Sequence, residues 1–215
     1  MGRVRVHQHV NPLAPYFRFT PEALSLGKSF ETPQNPLFLD IGSARGRFLL
    51  QMAQNHRDMN FLGIEIREPL VDEANRLARE YGLTNLHYVF NNAMFSLDKV
   101  LENLPPEILE NVTIQFPDPW FKKRHAKRRM VTPHLARTVS RHLSKTGKLF
   151  IQTDIKVLFD EMISTFVSLE TLIKKDIDEN PFGVRTEREI AVEEKQLPVY
   201  RVLFHRHETP NLIVN

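Results

Sequence analysis

The sequence predicts an α/β fold: a mostly parallel seven-stranded sheet, helices on both faces, and an antiparallel C-terminal strand. Three observations predict it. Between residues 36 and 168, strand-length apolar runs alternate with stretches of helical periodicity, the pattern of βαβ units with right-handed crossovers. Two of the helical stretches, 69–82 and 132–147, carry proline at their starts and glycine at their ends. After residue 170 two strand-like runs follow with no helix between them, which reads as an antiparallel pair.

Residues 1–35 contain four prolines among polar residues and show no period. They read as an extended arm with one short helix near residues 21–26, so the expected division is an arm over 1–35 and a single domain over 36–215. "PLFLDIG" (36–42) is a buried strand ending in turn chemistry. "GRFLLQMAQN" (46–55) puts Phe48, Leu49, Met52 and Ala53 on one helical face. "NFLGIEI" (60–66) is a strand, residues 69–82 a helix, and "NLHYVFNN" (85–92) a third strand. A short helix over 95–104 leads to a fourth strand at "NVTIQF" (111–116). Residues 132–147 read as a helix with Thr132 as N-cap and Gly147 beyond its end. "KLFIQT" (148–153) is a strand and 154–168 a helix. "TLIKKDI" (171–177) and "YRVLFHRH" (200–207) complete the set.

With 215 residues the chain suits one large domain, and 41% hydrophobic with 26% charged residues is a globular balance. No apolar stretch approaches the roughly 20 residues that cross a bilayer, so no membrane association is expected. Arg3 and Arg5 are followed by His7, Gln8 and His9 where a signal peptide needs apolar residues, so a cytoplasmic location is expected. There is no cysteine, which rules out disulfides and thiolate metal sites. The nine histidines show no metal-ligand spacing, and no Walker-type loop or nucleophile–base pairing is visible; no metal is expected. Net charge is +3, yet six cations lie at Lys122, Lys123, Arg124, Lys127, Arg128 and Arg129. Removing those six from the 29 basic residues leaves 23 against 26 acidic ones. The positive field is therefore local, which suits a polyanionic partner. A solvated surface helix or loop is the plainer alternative.

Parallel α/β sheets bind ligands at the carboxyl ends of their strands. Asp40, Glu65, Asn92, Asp118 and Asp154 all stand at or just after predicted strand ends. "DIGSARG" carries Gly42, Ala44 and Gly46 at offsets zero, two and four, which differs from the dinucleotide fingerprint and resembles the glycine turn of S-adenosylmethionine-dependent methyltransferases. Glu65 suits a ribose, whose hydroxyls donate to a carboxylate. Asp40 beside the turn favours a cationic ligand over a pyrophosphate. Asn92 could bond an adenine edge, with Ala93 leaving room for the ring. Helix capping by Asp40 and Glu65 and an Asx-turn at Asn92 are the structural alternatives.

Pro117 and Pro119 hold Asp118 extended, and Trp120 adds a flat surface; an ordinary rigid turn is the alternative. The segment "FPDPWFKKRHAKRRMV" resembles the signature of the tRNA (guanine-N7-)-methyltransferase family. The resemblance extends to "RVRVHQHVNPL", "FLDIGSARGRFLL", "GIEIREPL", "TDIKVLFDEM" and "TEREIAVEEKQLPVYRVLFHR", nearly the whole chain. It implies a Rossmann-like methyltransferase fold and S-adenosyl-L-methionine as methyl donor. It implies donor contacts at Asp40, Glu65, Asn92 and Asp118. It assigns Lys122, Asp154, Thr186, Glu187, Arg188 and Glu189 to the tRNA substrate, and Arg124 through Arg129 to RNA, including His125, Lys127 and Arg128. The implied reaction methylates N7 of a guanine in the tRNA variable loop, commonly position 46, in a monomer or homodimer. The sequence departs from the family pattern at Asp40 (Glu is usual), Ala44 (Gly) and Asn92 (Asp is common), all in the donor pocket, and at Phe121 (Pro or His).

Guanine N7 carries an in-plane lone pair and no proton, so its methylation needs no general base. Positioning and a nearby carboxylate, here Asp118, supply what catalysis requires. Arginine ordinarily grips guanine through O6 and N7, which would block the reaction, so the basic run is expected on phosphates and the acids, Asp118 or Asp154 with Glu189 assisting, on the base edge. Two other readings remain at this stage: an RNA-binding protein with this fold and no catalysis, and a methyltransferase acting on an exocyclic amine.

Overall fold

The computed structural model describes residues 10–206; the basic arm at residues 3–9 lies outside the described residues. Seven strands form one sheet: β1 (Leu37–Ile41), β2 (Asn60–Glu65), β3 (Leu86–Phe90), β4 (Leu109–Gln115), β5 (Leu143–Thr153), β6 (Leu172–Asp176) and β7 (Tyr200–Arg206), in the order β3-β2-β1-β4-β5-β7-β6. β1 to β5 pair in parallel; β7 runs antiparallel to both β5 and β6. The helices are α1 (Leu26–Ser29), α2 (Arg47–Asn55), α3 (Glu68–Glu80), α4 (Ala93–Leu101), α5 (Pro133–His142), α6 (Lys156–Val167) and α7 (Glu187–Glu193).

Strand alternation divides the core. Leu37, Leu39 and Ile41 of β1 face α4, α5 and α6, joining Leu97, Leu135 and Leu158 in one buried cluster. Phe38 faces the other way, with Phe48 and Leu49 of α2 and Val71 and Ala74 of α3. Both faces of the sheet are thus covered, as its almost unbroken apolar strands require. The predicted face of α2 is the buried one: Phe48, Leu49, Met52 and Ala53.

Three expectations about elements are corrected. α5 does begin at the Thr132 cap, whose hydroxyl accepts from Leu135 N–H at 3.2 Å, but it ends at His142 rather than near Gly147. Leu143 leaves the helix, is fully buried and pairs with Leu109, so β5 starts five residues before the expected 148. Gly147 is no helix cap: a Cβ there would meet the Leu143 side chain at 2.5 Å, so close packing demands the glycine. A helix, α7, does separate β6 from β7. It opens on a complete capping box, Thr186 accepting from Glu189 N–H while Glu189 accepts from Thr186 N–H. The expected helix near 21–26 is instead a 3-10 turn at Pro15–Phe17 followed by α1.

Candidate active site

A cavity of about 310 Å³ opens at the carboxyl ends of β1, β2 and β4. It falls within the roughly 300–1,000 Å³ typical of small-molecule sites. Asp40, Gly42, Glu65, Asn92, Ala93 and Asp118 all line it.

The first wall is the turn after β1. Gly42 and Gly46 adopt φ of 87° and 72°, and Ala44 adopts 49°. Alanine thus takes the left-handed conformation that glycine would take without strain, at a cost of roughly 1–2 kcal/mol. Gly42 sits so close to the chain beyond β4 that a Cβ would meet Met130 Cε at 3.0 Å, and one on Gly46 would strike the Tyr88 ring at 2.6 Å. Tyr88, on β3, in turn donates to Gly46 C=O.

Asp40 is buried and accepts from Thr113 Oγ1 at 2.6 Å. Burial pushes its carboxyl up to about 6; the Thr113 and Gln115 side chains pull it down, and Glu65 pushes it up again. Glu65, also buried, accepts from Ala44 N–H at 2.9 Å and from Arg67 through N–H at 3.0 Å, Nε at 2.8 Å and a terminal nitrogen at 3.1 Å. The glycine turn and the acid ending β2 are therefore one unit. Burial works against the Arg67 charge, yet Glu65 and Asp118 together raise its pKa. Arg67 thereby ties the acids after β2 and β4 to one place.

Asn92 lines the cavity, but its side chain is already engaged. Its oxygen caps α4 by accepting from Met94 N–H at 3.3 Å. Its amide donates to Pro12 C=O at 2.9 Å and to Phe17 C=O at 3.4 Å, drawing the N-terminal segment over the rim.

Pro117, Asp118 and Pro119 are bracketed by two residues of left-handed backbone, Phe116 at φ 48° and Trp120 at φ 45°. Strain of this kind persists where surrounding contacts enforce it. Arg129 is one such contact: its Nε donates to Pro119 C=O at 2.9 Å and its guanidinium pairs with Glu161 of α6. Lys123–Arg128 form a 3-10 segment. Lys123, Arg124 and Lys127 on it, and Lys122 just before it, are exposed. Arg128 lines the cavity with its guanidinium 4.9 Å above the Trp120 ring, and His125 meets that ring edge-on at 5.8 Å. Partial desolvation, then Arg128, Arg124 and Lys122, lower the His125 pKa.

The third wall is α7. Thr186, Glu187 and Arg188 line the cavity, Glu187 pairing with Arg47 at 2.9 Å and Arg188 with Asp154 after β5. Glu189 does not line it. It is wholly buried, accepting from Gln152 at 3.0 Å, Asn180 at 3.0 Å and Arg201 at 2.9 Å. Asp154 and Lys122 are not in the cavity lining, and Asp154 reaches it only through Arg188. Sequence reasoning passed over Arg67, Gln115 and Met130; "IEIRE" did place an arginine two residues past the ribose-type acid, the one available signal.

The cavity's chemistry matches what comparison with known proteins finds. Residues 34–202 match a family model described as a putative methyltransferase. A tRNA (guanine-N(7)-)-methyltransferase of Synechococcus elongatus is 51% identical over 209 residues, covering 96% of this chain and 98% of that protein. One from a Nostoc species is 50% identical over 207 residues, covering 94% of each. Among solved structures, precorrin-6y C5,15-methyltransferase from Geobacter metallireducens superposes with a TM-score of 0.55 at 12% identity over 80% of each chain, a likeness of fold alone. Full-length similarity at half-identity, on a methyltransferase sheet whose strand ends gather these acids, settles the family: the chain belongs to the tRNA (guanine-N(7)-)-methyltransferases.

Proposed function

We propose that this protein transfers a methyl group from S-adenosylmethionine to N7 of a guanine in the variable loop of tRNA, position 46, forming 7-methylguanosine. The observation that carries the reading is one cavity joining Asp40, Glu65 and Asp118 to the rim of a cationic segment.

The residues present fit the donor. Two buried carboxylates, Asp40 and Glu65, flank the glycine turn, and the Asp40 carboxyl is raised by its burial and by Glu65. A cation placed there would relieve that repulsion. Ser43 Oγ is buried at the cavity wall without a hydrogen-bond partner, which a polar ligand would satisfy. When bound, S-adenosylmethionine supplies an electrophilic methyl on a sulfonium.

In this reading Asp40 takes the ammonium end and Glu65 the ribose hydroxyls, which displace Arg67 donors from its oxygens. Asn92 acts through its cap and its hold on Pro12, and Ala93 leaves room for the adenine. Asp118, fixed between its prolines, accepts from the guanine edge and offsets the positive charge that N7 methylation leaves on the base. Thr186, Glu187 and Arg188 line the base's approach, with Asp154 holding Arg188 and Glu189 holding the start of α7. Lys122, Arg124 and Lys127 reach phosphates from the exposed side, His125 and Arg128 shape the Trp120 face, and Arg129 braces the loop.

The test is one incubation of purified protein, unmodified tRNA transcript and methyl-labelled S-adenosylmethionine, followed by strand cleavage selective for 7-methylguanosine. Cleavage at the variable loop supports the reading. Label on an exocyclic amine, or none, rejects it.

A further inference from the structure

Arg201, Gln152 and Gln115 lie in one row across β7, β5 and β4, since Gln152 pairs with Arg201 on one side and with Gln115 on the other. Their hydrogen bonds leave no freedom of direction. Arginine only donates, so Arg201 Nε, 3.2 Å from Gln152, must meet the amide oxygen. Gln152 must then turn its nitrogen the other way. There it donates to Gln115 Oε1 at 2.8 Å and to the Glu189 carboxylate at 3.0 Å, and a carboxylate only accepts, so both ends demand the same orientation. Gln115 therefore has its oxygen committed to Gln152 and its nitrogen turned away from it.

We propose that Gln115 is a positioning residue for Asp40, its amide nitrogen held toward that carboxylate by a chain of hydrogen bonds beginning at Arg201. Thr113, two residues before Gln115 on the same strand face, pairs with Asp40 across β4 and β1 and bonds it directly. Gln115 Nε2 is buried without a hydrogen-bond partner, Gln115 and Asp40 line the same cavity, and the Gln115 side chain favours the ionised carboxylate. A reversed Gln115 would set a carbonyl oxygen against Asp40 and repel it. The chain also links the two sides of the reaction: Glu189, which fixes Gln152, caps α7, whose first residues line the cavity. Asp40 is faced besides by Glu65 at the end of β2 and by the Tyr88 hydroxyl on β3, whose pKa Asp40 helps to raise after burial.

The proposal deepens the assignment of Asp40 to the methyl donor, but its first test needs no donor. The Asp40 carboxyl carbon is titrated by NMR in the ligand-free protein, in the natural chain and in Gln115→Met and Gln152→Met. Both variants are expected to move the midpoint upward by about 0.5 pH, because an oriented amide dipole that favours the charged form is lost. Gln152 bonds Gln115, Glu189 and Arg201, so a purely local packing role for Gln115 predicts no shift in Gln152→Met. An unchanged midpoint in Gln115→Met overturns the proposal, and an unchanged midpoint in Gln152→Met overturns the chain. The second test is S-adenosylmethionine binding by calorimetry near pH 5, below both midpoints, where about a threefold weakening in Gln115→Met is expected, the same half-decade expressed as affinity. If the natural chain binds no S-adenosylmethionine, the function proposed above fails while the titration still decides the role of Gln115.

Discussion

Asp40 is where stability and function oppose each other most directly. Its carboxyl titrates near 6 in the fold against 3.8 for the ordinary group, chiefly through burial. A raised folded pKa means its favourable contribution is complete below the unfolded value and is lost as pH rises through about 6. At pH 7 the ionised carboxylate therefore costs stability. Asp40→Asn keeps an acceptor for Thr113 and removes the charge, so it is expected to stabilise the ligand-free protein at pH 7 by on the order of 1–3 kcal/mol. The gain should vanish by pH 4 in urea melts, and S-adenosylmethionine binding should weaken at least tenfold. A variant that is less stable at pH 7 would show that the buried charge is already compensated. Glycine positions tell a complementary story: Gly46 was legible as part of a turn, but the ring that makes it obligatory, Tyr88, lies 42 residues away and could not be read from spacing.

At the scale of elements, the loop after β4 depends on a residue first assigned to RNA. Arg129 spends its guanidinium on Pro119 and on Glu161, so it braces the strained backbone around Asp118 rather than facing outward. Arg129→Ala is accordingly expected to lower kcat about tenfold or more through misplacement of Asp118, with little change in the KM for tRNA. Steady-state kinetics separate this from a lost phosphate contact, which would raise KM. Local chemistry was read well where a single residue decides: Thr132 as a cap, the buried face of α2, the strand-end acids. It failed where burial at a distance overrides the pattern. Leu143 is extracted from a helical period to pair with Leu109, and α7 was passed over although its capping box, T-E-R-E, is written in the chain. There Glu189 is fully buried against Arg201, a pairing no local pattern reveals.

Across the whole molecule charge is sorted by depth. The acids Asp40 and Glu65 are buried in the cavity with Asp118 at its wall, while Lys122, Lys123, Arg124 and Lys127 project into solvent at its rim. A net charge of only +3 would give little long-range attraction, so the approach of tRNA should depend on this rim. Each lysine that neutralises a phosphate releases counterions, and the logarithm of affinity falls with the logarithm of salt by roughly 0.7–0.9 per contact. Lys127→Ala is therefore expected to weaken tRNA binding and to flatten that salt slope by about one contact's worth, while kcat at saturating tRNA stays near that of the natural chain. Asp118→Ala should do the reverse: turnover falls by 10²-fold or more while tRNA affinity and its salt slope persist, because the acid acts on the base after the polyanion has docked. Filter binding across 50–200 mM salt, run beside single-turnover methylation, distinguishes the two. Loss of turnover with an unchanged slope in Lys127→Ala, or loss of binding in Asp118→Ala, would mean that attraction and chemistry are not divided between rim and cavity.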